Sequence, residues 1–584
     1  MIKMFREMTK KEVSFFVGSI LFMILQVWLE LKIPGYMSEI TQLVTTGGET
    51  SEVLHIGIIM ILCALGGFLV SVVIGYFSSF VGTSFEKNLR SKVFRKVQGF
   101  GMEEINKFST SSLITRNTND VTQVKNFVVM GSQMLARAPI MASMAIFKIL
   151  GKEWEFSIAT GVGVLVIIMM VSVIICFAIP KFKIFQKLTD NLNRITRENL
   201  TGIKVVRAFN AEDYQQKKFH EANNELTKAN LFIGRIMSLM DPVMTSVMSG
   251  LPLAIYWIGS SLINQANMLD KITIFSDMVV FSSYAIQVIL SFTFLAMIFV
   301  IYPRASVSMG RISEILKTKE KVFDGKIDSD TTNLRGVIEL RNVSFKYPDA
   351  EECVLENINL KINQGETVAF IGGTGSGKST LVNLIPRFYD VTDGEILIDG
   401  VNIKDMKLEY LHNKIGYVSQ KAFLFKGTIK TNIDFGKSNK EINESEVREA
   451  VRIAQASFAF KMEKGINSSI SQGGTNVSGG QKQRLSIARA IARNPEIYIL
   501  DDAFSALDFK TDYTLRKELN KYASGSTKLI VASRVGTIID ADKIVVLENG
   551  KCVGIGKHHE LLKNCHVYRE IAESQLSKEE LENA

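Results

Sequence analysis

The chain has 584 residues, a formal net charge of +9 and 47% hydrophobic residues, which is room for several ordinary domains. The apolar residues form long runs in the first half, whereas the second half has the composition of a soluble α/β domain. Basic residues form no single block: many sit between the apolar runs, at Lys87, Arg90, Lys92, Arg95 and Lys96, then at Lys181, Lys183, Lys187 and Arg194. This is the charge distribution of a membrane protein with basic segments on its cytosolic side, and it argues against a nucleic-acid partner.

At the N-terminus, Lys3, Arg6, Lys10 and Lys11 precede an apolar run. That run is too long for a signal peptide, lacks a small-residue cleavage site and is followed by more spans, so it reads as an anchor. Six stretches are apolar enough to cross a bilayer, which takes about 20 helical residues. They lie near 13–33, 54–81, 128–150, 156–179, 238–263 and 273–302. The third is interrupted by Gln133, Arg137, Pro139 and Lys148. The short links carry essentially Lys152 and Lys271, while the long, basic segments 82–127 and 180–237 are assigned to the cytosol. None of Cys63, Cys176, Cys353, Cys552 and Cys565 falls in a predicted outer loop, and no pair has metal-ligand spacing, so reduced structural thiols are expected.

Both long segments keep helical periodicity and are expected to continue the spans as helices. Each has a short break that predicts a cross-helix: Phe108-Ser109-Thr110 before Leu113 to Arg116, and Thr201-Gly202 before Val205 to Phe209. In the sixth span Ser276, Ser283, Gln287 and Ser291 recur on roughly one helical face. They either line a cavity or pack helices together, with Phe275, Phe281, Phe292 and Phe299 facing lipid or an apolar cargo. Arg137 and Asp241 are ionisable groups near span edges, for which a structural role is expected.

A polar linker covers 318–335, and Val337 to Phe345 then alternates like a strand. Further on, a buried strand (Val368 to Ile371) and a helix (from Ser379) flank Gly372, Gly373, Thr374, Gly375, Ser376, Gly377, Lys378 and Ser379. Glycines in such a loop let backbone N–H groups turn toward phosphate, and the helix N-terminus adds its positive dipole end. Lys378 is placed to meet the β- and γ-phosphates and Ser379 to ligate Mg²⁺. Downstream, Val477-Ser478-Gly479-Gly480-Gln481 forms a second glycine-rich turn before a helix from Lys482 to Ala492.

This pair of turns resembles the nucleotide-binding domain of ATP-binding cassette (ABC) proteins. In that family the second turn reads the γ-phosphate of ATP held by another domain, so such proteins work in pairs. The resemblance implies further assignments. Tyr347 would stack on adenine, and Thr380 would join the P-loop in holding ATP. Gln420 and Asp501, each at the end of an apolar strand, would join Ser379 around Mg²⁺. Ser505 to Asp508 would form the D-loop, and the segments before Val121 and around Val205 to Asn210 would be coupling helices.

Two positions depart from the family. Where it has a glutamate, the base for the attacking water, the chain has Asp502, one methylene shorter. Where it has a switch histidine, the chain has Ser533, and no histidine lies between His412 and His558. Ser471-Gln472-Gly473-Gly474 also lacks a glutamate usual near the signature, and Val477 replaces a leucine. The expected consequence is a site on this chain that binds ATP and hydrolyses it poorly, beside a working signature at Ser478, Gly479, Gly480 and Gln481.

The expected fold is a membrane all-α six-helix domain (1–317), the linker 318–335, an α/β P-loop nucleotide-binding domain (336–576) and a frayed acidic tail (577–584). The expected function is ATP-driven export of an amphipathic or drug-like small molecule across the cytoplasmic membrane. The partners implied are membrane lipid and a second half-transporter carrying the missing glutamate and histidine, as in bacterial heterodimeric multidrug exporters. An exporter-fold importer of the siderophore type and an ATP-gated regulatory subunit without transport are the alternatives. No peptidase-like domain precedes the first span, which argues against a leader-processing peptide exporter.

Overall fold

The computed structural model describes residues 7–149, 153–348, 350–436 and 442–577. Lys3, Arg6, Lys152 and the tail beyond Ser577 lie outside these residues, as do the side chains of Lys183 and Phe299. The chain divides into two compact units: Met1–Gln98 with Thr110–Thr318, and Gly99–Ser109 with Lys319–Ala584.

The first unit is helical. Its long helices are α1 (Lys10–Thr46) and α2 (Thr50–Gln98). The short α3 (Met102–Phe108), which belongs to the second unit, precedes α4 (Thr110–Thr115) and α5 (Val121–Asn126). Then follow α6 (Ser132–Ile149), α7 (Trp154–Thr201), α8 (Ile203–Ala208), α9 (Glu212–Met237), α10 (Met240–Gln265) and α11 (Met268–Lys317). Five helical stretches among the described residues are long and apolar enough to cross a membrane. The remaining predicted span is α6, preceded by a π-helical turn at Phe127–Gly131.

Local chemistry explains how these helices begin and join. Thr9 and Glu12 form a capping box that starts α1. The fully buried Glu12 also accepts from Ser84 Oγ at 2.7 Å and Asn88 Nδ2 at 2.6 Å, pinning α1 to α2. Val27 and Leu31 of α1, Met141 and Ala145 of α6 and Phe281, Tyr284 and Val288 of α11 share one core. Phe281 is buried there beside Phe156, which excludes lipid, one of the two surroundings expected for it.

A lone charge at the centre of a membrane helix costs about 2.5–3.5 kcal/mol or more. Arg137 of α6 avoids that cost by pairing with Glu30 of α1 at 2.9 Å, and Glu30 also accepts from Gln26 at 2.8 Å. Asp241 lies in the first turn of α10, where the helix dipole favours a carboxylate. The three serines of the α11 stripe are all hydrogen-bonded, one of them across to α1. Ser276 is buried against Ser38, Ser291 is buried and donates to the Gln287 carbonyl, and Ser283 donates to the Val279 carbonyl.

The second unit is α/β. One sheet contains β1 (Ile338–Phe345), β2 (Leu355–Ile362), β4 (Asp393–Ile398) and the short β5 (Val401–Asn402), in the order β2-β1-β4-β5. The other is built from β3 (Thr367–Gly372), β6 (Ile415–Val418), β9 (Ile497–Asp501), β10 (Thr527–Val531), β11 (Lys543–Glu548) and β12 (Lys551–Gly556). Its order is β12-β11-β3-β10-β9-β6, and Gly427–Thr428 (β7) pairs separately with Ser469–Ile470 (β8). β3, β6, β9, β10 and β11 run parallel, and β3, β9 and β10 are buried almost throughout, as apolar parallel strands require.

The break at Ser109 falls where the sequence predicts, but the segment grouped with the nucleotide unit is the one before it. Glu104 accepts from the Lys321 N–H at 3.2 Å, Glu103 pairs with Lys321, and Asn106 donates to Tyr389 at 3.1 Å. Leu113 to Arg116 instead run into a π-helical turn, Arg116–Asp120, within the membrane unit. The second short helix, α8, begins after Gly202 as expected.

Candidate functional site

The phosphate-type loop joins β3 to α12 (Lys378–Leu384). Three of its glycines, Gly372, Gly375 and Gly377, have positive φ, and at two of them an added Cβ would also clash. At Gly372, φ is 157° and an added Cβ would lie 2.0 Å from the Leu547 carbonyl oxygen; at Gly377, φ is 96° and a Cβ would lie 2.7 Å from Leu355. Lys378 Nζ donates to the carbonyls of Gly372 at 2.9 Å and Gly373 at 2.7 Å. Burial lowers its pKa, opposed by the charges of Asp502 and Asp501. Ser376 is buried within the loop, and Thr380 meets the Tyr347 hydroxyl at 3.1 Å. The half-buried Tyr347 ring packs edge-on against Phe345 and Tyr389.

Three strand ends converge beside this loop. Asp501, at the end of β9, is buried and accepts from Ser379 Oγ at 2.8 Å. Burial raises its pKa; the Ser379 bond opposes that rise and the neighbouring Asp502 charge adds to it. Gln420, just after β6, donates from Nε2 to Asp502 Oδ2 at 3.2 Å. Ser533, just after β10, donates from Oγ to Asp502 Oδ1 at 3.3 Å. Asp502 itself has φ 47°, a left-handed conformation that Asp tolerates better than most side chains, and its N–H donates to the Val531 carbonyl at 3.0 Å. Ser379, Gln420 and Asp501 present the oxygen donors a hard divalent cation prefers.

The second glycine-rich turn starts α13 (Gly479–Ala492). Ser478 caps it through a capping box: its N–H donates to Gln481 Oε1 at 2.9 Å, and its Oγ accepts from the Gln481 N–H at 3.3 Å. A Cβ at Gly479 would meet nothing within 4 Å, whereas at Gly480 it would touch the Ala506 carbonyl oxygen at 3.0 Å. Among the described residues, no hydrogen bond joins Ser478–Gln481 to the P-loop. Nearby, Ser471 bonds Thr475 and Asn476, and Gly473 and Gly474 both have positive φ.

The structure therefore brings Lys378, Ser379, Gln420, Asp501, Asp502 and Ser533 together and keeps the signature turn apart from them. The S-x-x-Q capping box was readable from the sequence. One neighbour was not: Gln575, near the end of the described chain, accepts from the Val535 N–H at 2.8 Å and donates to the Ser533 carbonyl at 3.0 Å. No local pattern signals that contact.

Comparison with known proteins agrees with this geometry. A family model described as ABC transporter matches residues 355–505, and one described as ABC transporter transmembrane region matches 16–292. An uncharacterized ABC transporter ATP-binding protein of Mycobacterium tuberculosis is 37% identical, over 93% of each chain. A multidrug resistance ABC transporter ATP-binding and permease protein of Lactococcus lactis is 30% identical, over 99% of this chain and 95% of the relative. Among solved structures, a bacterial Atm1-family ABC exporter with ATP bound shares the fold. Its TM-score is 0.79 and its identity 24%, and the match covers 97% of this chain and 99% of that one.

Proposed function

The chain belongs to the ABC transporter family, and we propose that it is the half of a heterodimeric exporter whose own ATP site turns over slowly. It spans the membrane, and its ABC domain, on the cytosolic side, hydrolyses ATP. The observation that supports the proposal is the contact of Ser533 with Asp502, the two positions for which the resemblance implies histidine and glutamate. A base displaced by ~1 Å can lose ~100-fold in rate, and serine lacks the reach and charge of imidazole.

In this reading Tyr347 stacks on adenine, the loop Gly372 to Thr380 holds the phosphates, and Lys378 meets the β- and γ-phosphates. Ser379, Gln420 and Asp501 fit Mg²⁺, which would supply charge neutralisation on phosphate oxygens. Ser478 to Gln481 offer helix N-terminal N–H groups to ATP held by the partner chain. A partner with glutamate and histidine completes one competent site with this signature, and closure of the two domains drives an outward-facing cavity. The multidrug description of the Lactococcus relative supports an amphipathic cargo.

Inverted membrane vesicles containing the complex test the transport reading. ATP-dependent accumulation of an amphipathic fluorescent dye is expected. Uptake only in right-side-out vesicles would make the chain part of an importer, and ATP binding without flux would make it a regulatory subunit.

A further inference from the structure

Gln575 follows α15, numbered after α14 (Phe509–Tyr522) and spanning His566–Glu573. That helix is anchored by Tyr568 and Ala572, both fully buried. After it, the N–H groups of Gln575 and Leu576 both donate to the Ala572 carbonyl, at 3.0 and 2.8 Å, and Leu576 packs against the core. The Gln575 carboxamide is thus presented from a fixed base. Its oxygen takes the Val535 N–H and its nitrogen meets the Ser533 carbonyl, so one planar group grips the backbone on both sides of Arg534. An amide side chain offers the donor and the acceptor side by side. Val535 is fully buried, and among the described residues no group other than Gln575 accepts from its N–H. The gripped loop carries Ser533 to Asp502, and Arg534 to the Ser505 carbonyl at 3.3 Å.

We propose that Gln575 is a positioning residue for this chain's own ATP site, clamping the Ser533–Val535 loop so that Ser533 stays on Asp502 and turnover there stays slow. It makes the C-terminal helix part of the apparatus that senses the γ-phosphate. The proposal rests on the reading of Ser533 as the switch position. The clamp acts on the Asp502 side of the site, away from the P-loop that captures ATP, so its loss changes kcat and leaves KM for ATP alone.

The test uses the full-length chain in the complex it forms, with Gln575→Met removing both bonds and Gln575→Glu keeping only the acceptor. Hydrogen–deuterium exchange is followed at 532–537 and at 566–574, with kcat and KM for ATP measured in parallel. For Gln575→Met, exchange at 532–537 alone should rise about fivefold, the factor of the one backbone N–H bond lost there, that of Val535. Turnover at this chain's own site, isolated by replacing the partner's catalytic glutamate with glutamine, should rise by up to a similar factor at unchanged KM as Asp502 is freed on one oxygen, with Gln575→Glu intermediate in both. Unchanged exchange at 532–537 would overturn the clamp. A rise at 566–574 as well would reduce Gln575 to a helix-stabilising residue and overturn its positioning role. Faster loop exchange with unaltered kcat would leave the clamp standing but refute Ser533 as the switch position, and the proposal with it.

Discussion

Ser533 Oγ donates to Asp502 Oδ1 at 3.3 Å, so the two residues proposed to stand in for the family's histidine and glutamate touch each other. The other carboxylate oxygen of Asp502 is taken by Gln420. A carboxylate bonded on both oxygens and one methylene short is poorly placed to reach for water. Its left-handed backbone also suits Asp better than Glu.

Restoring one position alone is therefore expected to do less than restoring both. Asp502→Glu with Ser533→His should raise ATP turnover of the assembled complex, by up to ~100-fold at this site. Asp502→Glu alone should give a smaller gain. Steady-state phosphate release measures this, and an unchanged rate in the double variant would count against slow hydrolysis at this site.

The signature turn gives a cleaner separation of folding from function. A Cβ at Gly479 meets nothing within 4 Å, so Gly479→Leu should fold with an unchanged melting temperature. Turnover should nevertheless drop by about 100-fold or more, the order of loss when a phosphate-type oxyanion loses its donors. Ser478→Ala should instead show the ordinary cost of a lost N-cap, about 1 kcal/mol in stability. Retained activity in Gly479→Leu would mean that this turn serves no competent site.

Much of the site was legible because it is carried by short contiguous patterns. The loop Gly372 to Ser379 and the turn Ser478 to Gln481 announce themselves by glycine spacing and by the strand or helix beside them. Contacts made by folding across long separations were not legible. Glu30 is 107 residues from Arg137, and Gln575 is 42 from Ser533. The Ser109 break was readable, but which side of it joins the nucleotide unit depends on Glu103, Glu104 and Asn106 finding Lys321 and Tyr389. The serine stripe of α11 left two readings open because the periodicity that lines a cavity also packs helices.

The nucleotide unit hides one lysine whose loss should be costly. Lys414 is 5% exposed and bonds Asp330 at 2.7 Å, Asp399 at 2.9 Å and Glu496 at 2.8 Å. Lys414→Met leaves these carboxylates facing one another, and breaking a buried pair typically costs about 3–5 kcal/mol. Denaturant unfolding followed in the nucleotide unit should show a loss of that order; an unchanged midpoint would mean that water replaces the amine.

Acid should weaken the same unit. Burial holds His412 below the usual histidine range; the Arg493 charge adds to this, and the bond with the Pro386 carbonyl opposes it. Burial, with the nearby His559, also lowers His558. Both groups are neutral in the fold and protonate more readily once unfolded. Their contribution is present above the unfolded pKa, about 6.5, and is lost as pH falls from there through the lower folded values. Thermal unfolding of the unit should therefore fall between pH 7.5 and pH 5, and His412→Gln should flatten that slope.

The central claim is that this chain works with an unlike partner, and the native mass of the complex from its own host membrane, with each subunit identified, tests it most directly. A mixed pair is expected, whose second chain has glutamate after its Mg²⁺ aspartate and histidine at its switch. A pair of identical chains would contradict it and leave Asp502 as the carboxylate that must do the hydrolysis.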